Sequence, residues 1–176
     1  MTFVNDPPFA LGQTLGVSST DDGGGWVGTV KQFPDVDPTT GQVRSNRVKT
    51  CIAVRNTSGG ALLPKRAVVF ATGSFEAVDA YTTATDEIAA GVVDEHLPSA
   101  GVAANDVFWV TVGGPTEVTS GAAIPVDSTV SALNAGAGKA TTAAAGALQK
   151  GYIGRAISAA AGADEDILAI VNLVRS

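Results

Sequence analysis

Cysteine and histidine are almost absent from this chain, and their scarcity excludes several kinds of site. The 176 residues include one cysteine, Cys51, and one histidine, His96. A single cysteine forms no internal disulfide and supplies no Cys-based zinc site, so we expect Cys51 to be a small buried residue in a strand. Most nucleophilic and acid–base mechanisms lack their residues here. The sequence therefore favours a structural or binding protein that is not an enzyme and needs no cofactor.

Charge is also scarce, and its sign is unfavourable for nucleic acid. Charged residues make up 16% of the chain, against roughly 25% in typical globular domains. The net charge is −6, so phosphate backbones would be repelled, and we expect no nucleic-acid partner. No apolar run approaches the roughly 18 residues that a membrane span needs, and the N-terminus does not resemble a signal peptide. We therefore expect synthesis in a reducing cytoplasm and no association with a membrane.

Three short motifs resemble functional sites but lack essential parts. His96 follows Asp94 and Glu95, but neighbours on a strand point to opposite faces, so we expect a solvated strand end rather than a metal site. Residues 23–28 fit G-x-G-x-x-G without the preceding strand that a dinucleotide site requires. Residues 35–41 begin like a calcium loop, yet the glycine comes late and position twelve is not Glu, which favours an ordinary turn.

The first 48 residues differ in pattern from the rest of the chain. They contain four prolines and the run Asp-Asp-Gly-Gly-Gly, with scattered aromatic residues and little alternation. Proline and glycine at this density interrupt both helix and sheet. We predict an extended N-terminal arm over residues 1–48 that packs on the body, a neighbouring subunit or a partner. Residues 49–176 form the predicted body.

The body has many short apolar runs separated by turns, which predicts an all-β fold, either a small β-barrel or a β-sandwich. The run 106–112 is apolar on both faces, so it should be covered on both sides or lie at a subunit contact, and Gly113-Gly114-Pro115 should end it. At most one short helix is expected, at residues 141–150. The predicted strands are residues 50–55, 67–71, 75–78, 88–93, 106–112, 152–157 and 167–173.

A repeat indicates that the body consists of two similar halves. The sequence GALLP at residues 60–64 matches GAAIP at 121–125. Each copy then passes through a Thr/Ala-rich loop to a strand with a central glycine, Gly91 in the first copy and Gly154 in the second. Glycine within a strand indicates a bulge or a close backbone approach. Chance similarity in a sequence of such simple composition is the alternative interpretation.

Several of these segments resemble one family of viral structural proteins. They are NTSGGALL at 56–63, FWV at 108–110, GAAI at 121–124, GKA at 138–140, IGRA at 153–156 and ILAIV at 167–171. With them, residues 48–174 resemble the capsid decoration proteins of tailed bacteriophages, also called cement or head-stabilising proteins. The residues before 48 match no pattern of that family.

The resemblance implies a structural virion protein on the outer surface of a phage head. It would be made in the host cytoplasm and would bridge major capsid proteins as a homo-oligomer, a trimer being favoured and a dimer being the alternative. We predict Trp26, Phe33, Arg44 and Arg47 as contacts of the arm with capsid or subunit. A tail, fibre or glycan-binding receptor module is the alternative function, and a small enzyme or its accessory subunit is a more remote one.

Overall fold

The regular structure of this chain is entirely β-strand. The computed structural model describes residues 9–16, 25–74, 77–80, 89–132, 137–143 and 151–173, none of which lies in a helix. The predicted all-β class is thus confirmed. The strands are β1 (Val30–Val36), β2 (Val43–Asn56), β3 (Ala67–Phe70), β4 (Ala77–Ala80), β5 (Ala89–Val93), β6 (Val107–Thr119), β7 (Thr129–Ser131), β8 (Thr141–Thr142), β9 (Tyr152–Ala156) and β10 (Asp166–Asn172).

The helix predicted at residues 141–150 is wrong where it can be compared. Its first two residues, Thr141–Thr142, form β8 and pair with β7. Both are β-branched and fit a pleated surface better than a helix, so strand pairing outweighs the helix propensity of the alanines that follow. Residues 144–150 lie outside the described part of the chain.

The ten strands form one open, sandwich-like sheet in the order β1-β2-β4-β3-β5-β6-β10-β9-β7-β8. All pairings between named strands are antiparallel except the short one between β2 and β4. An additional pairing joins β2 directly to β6, two strands that are distant in this order. The sheet therefore folds back on itself, although the ten strands do not close into a single barrel.

Each half of the body is a small ring of paired strands, which confirms the two similar halves. In the first half, β2 pairs with β4, then β3, β5 and β6 follow, and β6 pairs again with β2. In the second half, the later part of β6 pairs with β10, and β9, β7 and β8 follow. A parallel bridge between Ser120 and Ala140 returns this path to the end of β6.

The two halves match in backbone detail. An isolated antiparallel bridge opens each half, Leu62 with Val102 in the first and Ile124 with Ala160 in the second. Three residues after each opening residue, a non-glycine residue adopts positive φ, 62° at Lys65 and 65° at an aspartate in the second half. As a result, β3 begins the same number of residues after its bridge as the equivalent strand β7 does after its own.

The central glycines predicted from the repeat occupy equivalent positions. Gly91 pairs with Val68 of β3, and Gly154 pairs with Val130 of β7. The strand register shifts at the next residue in both cases, so each glycine lies beside a bulge. The two copies therefore share topology as well as sequence pattern.

The residues Gly113-Gly114-Pro115 do not end β6, contrary to the prediction. Instead β6 continues to Thr119, and its pairing passes from β2 to β10 at this point. Gly114 has φ 93° and lies against the backbone of Val48, an approach that a side chain would block. Glycine and proline here mark the crossing from one half to the other.

Three apolar clusters fill the fold. Side chains alternate between the two faces of β2 and β6, which separates the cluster inside the first ring from the one outside it. One lies inside the first ring and includes Ile52, Val54, Val68, Phe108 and Val110. A second fills the second half and includes Val118, Ile124, Val130, Ile153 and Ile167. The third lies on the outer face of β2 and β6 and includes Phe9, Leu11, Cys51, Ala53 and Trp109. The prediction that residues 106–112 are covered on both faces is thus confirmed, as is buried Cys51, the pKa of which burial raises to about 12.

Parts of the predicted arm lie against the body, namely β1 and the N-terminal residues around Phe9. The boundary proposed between residues 48 and 49 falls within β2, and β1 pairs along β2 from Val30 to Val36. Phe9 stacks on Trp109 with ring centroids 4.8 Å apart and accepts a 3.2 Å hydrogen bond from the indole at its carbonyl. Whether the segment also reaches over a neighbouring subunit stays a prediction.

Candidate functional site

A charged cluster lies between the β1–β2 hairpin and the residues that follow β5. Alternation along β1 turns Phe33 and Asp35 towards the body, and Lys49 is the partner of Phe33 on β2. The chain leaves β5 through Asp94 and Glu95 directly beneath this hairpin. We call Asp35, Arg44, Lys49, Glu95 and His96 the charge cluster.

Arg44 joins two carboxylates that are otherwise buried. Its Nε and Nη2 donate to the Asp35 carboxylate at 3.0 and 2.7 Å. Its Nη1 and Nη2 donate to Glu95 at 3.0 and 2.8 Å. The Asp35 and Glu95 side chains are each 2% exposed, whereas that of Arg44 is 28% exposed. Paired, charge-assisted bonds of this kind are the geometry for which guanidinium is suited, and they offset the burial of the two carboxylates.

Lys49 is the most buried charge in the cluster. Its side chain is 1% exposed, and its Nζ contacts Glu95 Oε1. The same nitrogen lies 3.8 Å from Asp35 Oδ1 and 3.5 Å from His96 Nε2. Burial, followed by the charge of Arg44, lowers the pKa of Lys49 below its ordinary value. An ammonium in this position depends on its carboxylate partners to remain charged.

Asp94 connects the cluster to the N-terminal segment. Its carboxylate accepts hydrogen bonds from the backbone N–H of Gly12 at 2.5 Å and of His96 at 3.1 Å. Burial nevertheless raises the pKa of Asp94, and burial likewise lowers the pKa of His96. Both shifts favour the neutral form of the group, as expected where water is excluded.

The solvated strand end predicted at residues 94–96 is wrong. Asp94 is 1% exposed and Glu95 is 7% exposed, because the β1–β2 hairpin and residues 9–16 cover them. Sequence reasoning missed the site because Glu95 lies 51 residues from Arg44 and 46 from Lys49 in the chain. The available signal was the cationic run from Arg44 to Lys49 in an acidic chain, which requires carboxylate partners.

A cleft of about 530 Å³ opens beside the cluster. Both signs of charge line it: Asp35, Asp37, Arg44, Lys65, Glu95, His96 and Glu117, together with Gln42 and Val43. Lys65 Nζ lies 2.7 Å from Glu117 Oε2 and 2.5 Å from Asp166 Oδ2, which ties the first half to the second at this edge. Among the described residues, no group of three or more His, Cys, Asp or Glu side chains could hold a metal ion.

The four predicted contact residues lie in different surroundings. Trp26 is half-buried in a turn before β1, and Phe33 packs edge-on against Trp109 with centroids 5.2 Å apart. Arg44 belongs to the charge cluster, while Arg47 is exposed on β2. Phe33 and Arg44 thus each contact the body through a different partner, whereas Arg47 is exposed. Their contact with capsid or subunit stays a prediction.

Several apolar side chains are exposed on the outer face of the hairpin. Val30 and Val48 are 55% and 51% exposed, and Pro34 pairs with Val48 on that face. Val43 near the hairpin turn is also exposed. Exposed apolar side chains gathered on one element are typical of surfaces that contact another protein.

Comparison with solved structures gives a structural likeness, whereas the other two comparisons give none. No protein-family model matches the chain, and no curated protein matches it. Among solved structures, the chain is similar to the N base of head fiber gp8.5 in bacteriophage phi29, at 14% identity and a TM-score of 0.48. That likeness covers 73% of this chain and 98% of the other. At this identity and TM-score it carries no argument about function.

No described segment forms a helix able to cross a membrane.

Proposed function

We propose that this chain is a phage capsid decoration protein that binds the outer surface of the head and bridges major capsid proteins. The observation that carries the proposal is the pair of matched β rings built by the family-like segments. Residues 121–124 open the second ring at Ile124, residues 153–156 place Gly154 in β9, and residues 167–171 form most of β10. The segments that resemble decoration proteins are thus the framework of the fold.

We further propose that the outer face of the β1–β2 hairpin is the attachment surface. Val30, Pro34 and Val48 would supply apolar area, and the exposed Arg47, which precedes Val48 on β2, would pair with capsid carboxylates. The protein would act as a homo-oligomer, a trimer being favoured over a dimer. Many copies on a head allow each contact to be modest, because attachment is multivalent.

Co-sedimentation with capsids that lack the protein tests the proposal. We expect the wild-type chain to sediment with the heads and to raise their resistance to heat. The double variant Arg47→Ala/Val48→Ser should lose binding and remain folded, since both side chains are exposed. Val126→Ser, which removes an equally exposed valine in the second half, is the matched control and should bind normally. Absence of co-sedimentation by the wild type would count against the whole proposal.

The alternative of a tail, fibre or glycan-binding module has less support in the structure. Sugar sites usually present several exposed aromatic rings, yet Trp109 is fully buried and Trp26 and Tyr152 are half-buried. Tyr81 lies outside the described residues. Clear binding in a glycan screen, together with no binding to heads, would favour this alternative.

A further inference from the structure

One lysine and one glutamate are enclosed together, with the lysine nitrogen in contact with a carboxylate oxygen. Lys49 Nζ meets Glu95 Oε1, and the two side chains are 1% and 2% exposed. We propose that Lys49 and Glu95 condense into an intramolecular isopeptide bond once the chain has folded. This bond is a covalent feature of the body and is independent of what the protein attaches to.

The surroundings of Glu95 are suited to the charge that such a reaction develops. Glu95 Oε2 accepts hydrogen bonds from the backbone N–H of Glu117 at 2.7 Å and from Arg44 Nη1 at 3.0 Å. When an amine adds to the carboxyl carbon, negative charge is concentrated on this oxygen. Two fixed donors aimed at one oxygen form an oxyanion hole, which stabilises the tetrahedral intermediate.

His96 is placed to carry protons between the two reacting groups. Its Nε2 lies 3.5 Å from Lys49 Nζ and 3.4 Å from Glu95 Oε1. Because burial lowers the pKa of His96, the ring is neutral at neutral pH and can accept a proton. Burial also lowers the pKa of Lys49, which favours the nucleophilic free amine. His96 touches both reacting atoms, while Arg44 acts on one of them as a hydrogen-bond donor.

The reaction balances without a co-reactant. The Lys49 ammonium gives one proton through His96 to Glu95 Oε1, and the free amine then attacks the carboxyl carbon of Glu95. A second proton moves from the nitrogen to Oε1, the C–Oε1 bond breaks, and Oε1 leaves as water. The ammonium and the carboxylate together thus become one amide and one water molecule.

Burial also makes the amide the favourable state. In bulk water, hydration stabilises the separated ammonium and carboxylate, but here that hydration is absent and two charges are kept at a desolvation cost. Condensation removes both charges, and Arg44 retains Asp35 as a close partner. The water can depart through the adjoining cleft, which Glu95 lines.

Mass spectrometry of the full-length protein under denaturing conditions tests the proposal directly. We expect a mass lower than that of the sequence by one water. After trypsin, residues 48–55 should remain joined to residues 67–139, because an amidated Lys49 is not cleaved and Glu95 lies in the second peptide. An unmodified mass with the two peptides separate would overturn the proposal.

Two lysine variants locate the loss of water. Lys49→Arg keeps the positive charge but cannot form the amide, so it should show the full mass. Lys65→Arg, the matched control at another ion-paired lysine, should still lack one water. Loss of water from Lys49→Arg would overturn the assignment. The readout does not depend on whether a variant folds, because the peptide cross-link in the wild type is decisive by itself.

Discussion

Gly91 and Gly154 are equivalent residues with different neighbours, and the difference predicts their sensitivity. A Cβ on Gly154 would overlap the backbone carbonyl of Ile170, whereas a Cβ on Gly91 would lie 2.8 Å from the side chain of Val110. We expect Gly154→Ala to lower the free energy of unfolding by about 3 kcal/mol and Gly91→Ala by less, because a side chain yields more easily than backbone. Denaturant unfolding measures both.

Gly60→Ala is the control for these two variants. Gly60 is exposed, has no atom within 4 Å of the added Cβ and does not adopt positive φ. Its stability should stay within about 0.5 kcal/mol of the wild type. Equal losses at all three glycines would contradict the close approaches described for the two strands.

Arg44 and Arg47 are neighbours in sequence whose removal should have different effects. Arg44→Ala leaves the buried Asp35 carboxylate without its main hydrogen-bond donor and removes a donor from the Glu95 side chain, so we expect a loss of about 2 kcal/mol in stability. Arg47→Ala removes an exposed side chain and should change stability by less than about 0.5 kcal/mol. Thermal melts of the two variants, compared side by side, check this prediction.

Asp35 should make stability depend on pH in the acidic range. Burial acts to raise its pKa, but hydrogen bonds from Arg44 and Ser45 outweigh that effect and hold the pKa below the ordinary value of 3.8. A carboxyl whose pKa is lowered by folding stabilises the protein above its unfolded pKa and loses this contribution as pH falls through the folded pKa. The stabilisation is therefore complete above pH 3.8 and disappears below it.

The variant Asp35→Asn isolates this contribution. It should be less stable than the wild type near neutral pH, and the gap should narrow as the pH falls below 3.8. Urea midpoints measured along a pH series give the difference directly. A constant gap at every pH would show that Asp35 acts through packing and not through its charge.

At the scale of elements, the N-terminal segment and β6 depend on each other. Phe9 is 4% exposed, stacks on Trp109 and accepts the indole N–H at its carbonyl, while Leu15 donates its N–H to the Val107 carbonyl at 2.8 Å. We expect Phe9→Ala to destabilise the protein by about 3 kcal/mol through the cavity it leaves. Tryptophan fluorescence should shift to longer wavelength as water reaches Trp109.

Gln13→Ala is the matched control within the same segment. Gln13 is exposed, and its side chain accepts a hydrogen bond only from the nearby Ala10 N–H in the interactions described. Gln13→Ala should have the same melting temperature and the same tryptophan fluorescence as the wild type. If Phe9→Ala had the melting temperature of the wild type, residues 9–16 would not contribute to the stability of the core.

The strands that sequence reasoning predicted and those it missed differ in how they obtain their stability. The run at 106–112 is apolar on both faces, so its own residues determine a buried strand. By contrast, β1 contains Pro34 and charged residues, and it forms a strand because it pairs with β2. Pro34 is tolerated because β1 is an edge strand of the sheet. β7 and β8 have three and two residues, too few for any periodic pattern. Their existence depends on the ring that surrounds them.

For the whole molecule, the repeat could be predicted and the charge cluster could not. Gly91, Gly154 and the GALLP and GAAIP segments occupy positions where the backbone conformation requires these residues. The duplication is therefore visible in the sequence. The cluster joins Arg44 and Lys49 on β2 to Glu95 after β5, and these strands are neighbours only through β6. Such convergence depends on topology, which the local pattern does not contain.

Because β6 belongs to both rings, its length should be the least variable in the chain. One residue inserted between Gly113 and Gly114 would turn the later part of β6 over, so Val118 would leave the core of the second half for solvent. An insertion in the exposed turn at residues 59–60 changes no strand register. A library of single-residue insertions, sorted by soluble yield, should therefore be depleted along β6 and well populated at that turn, and related chains should vary in length at their turns but not along this strand.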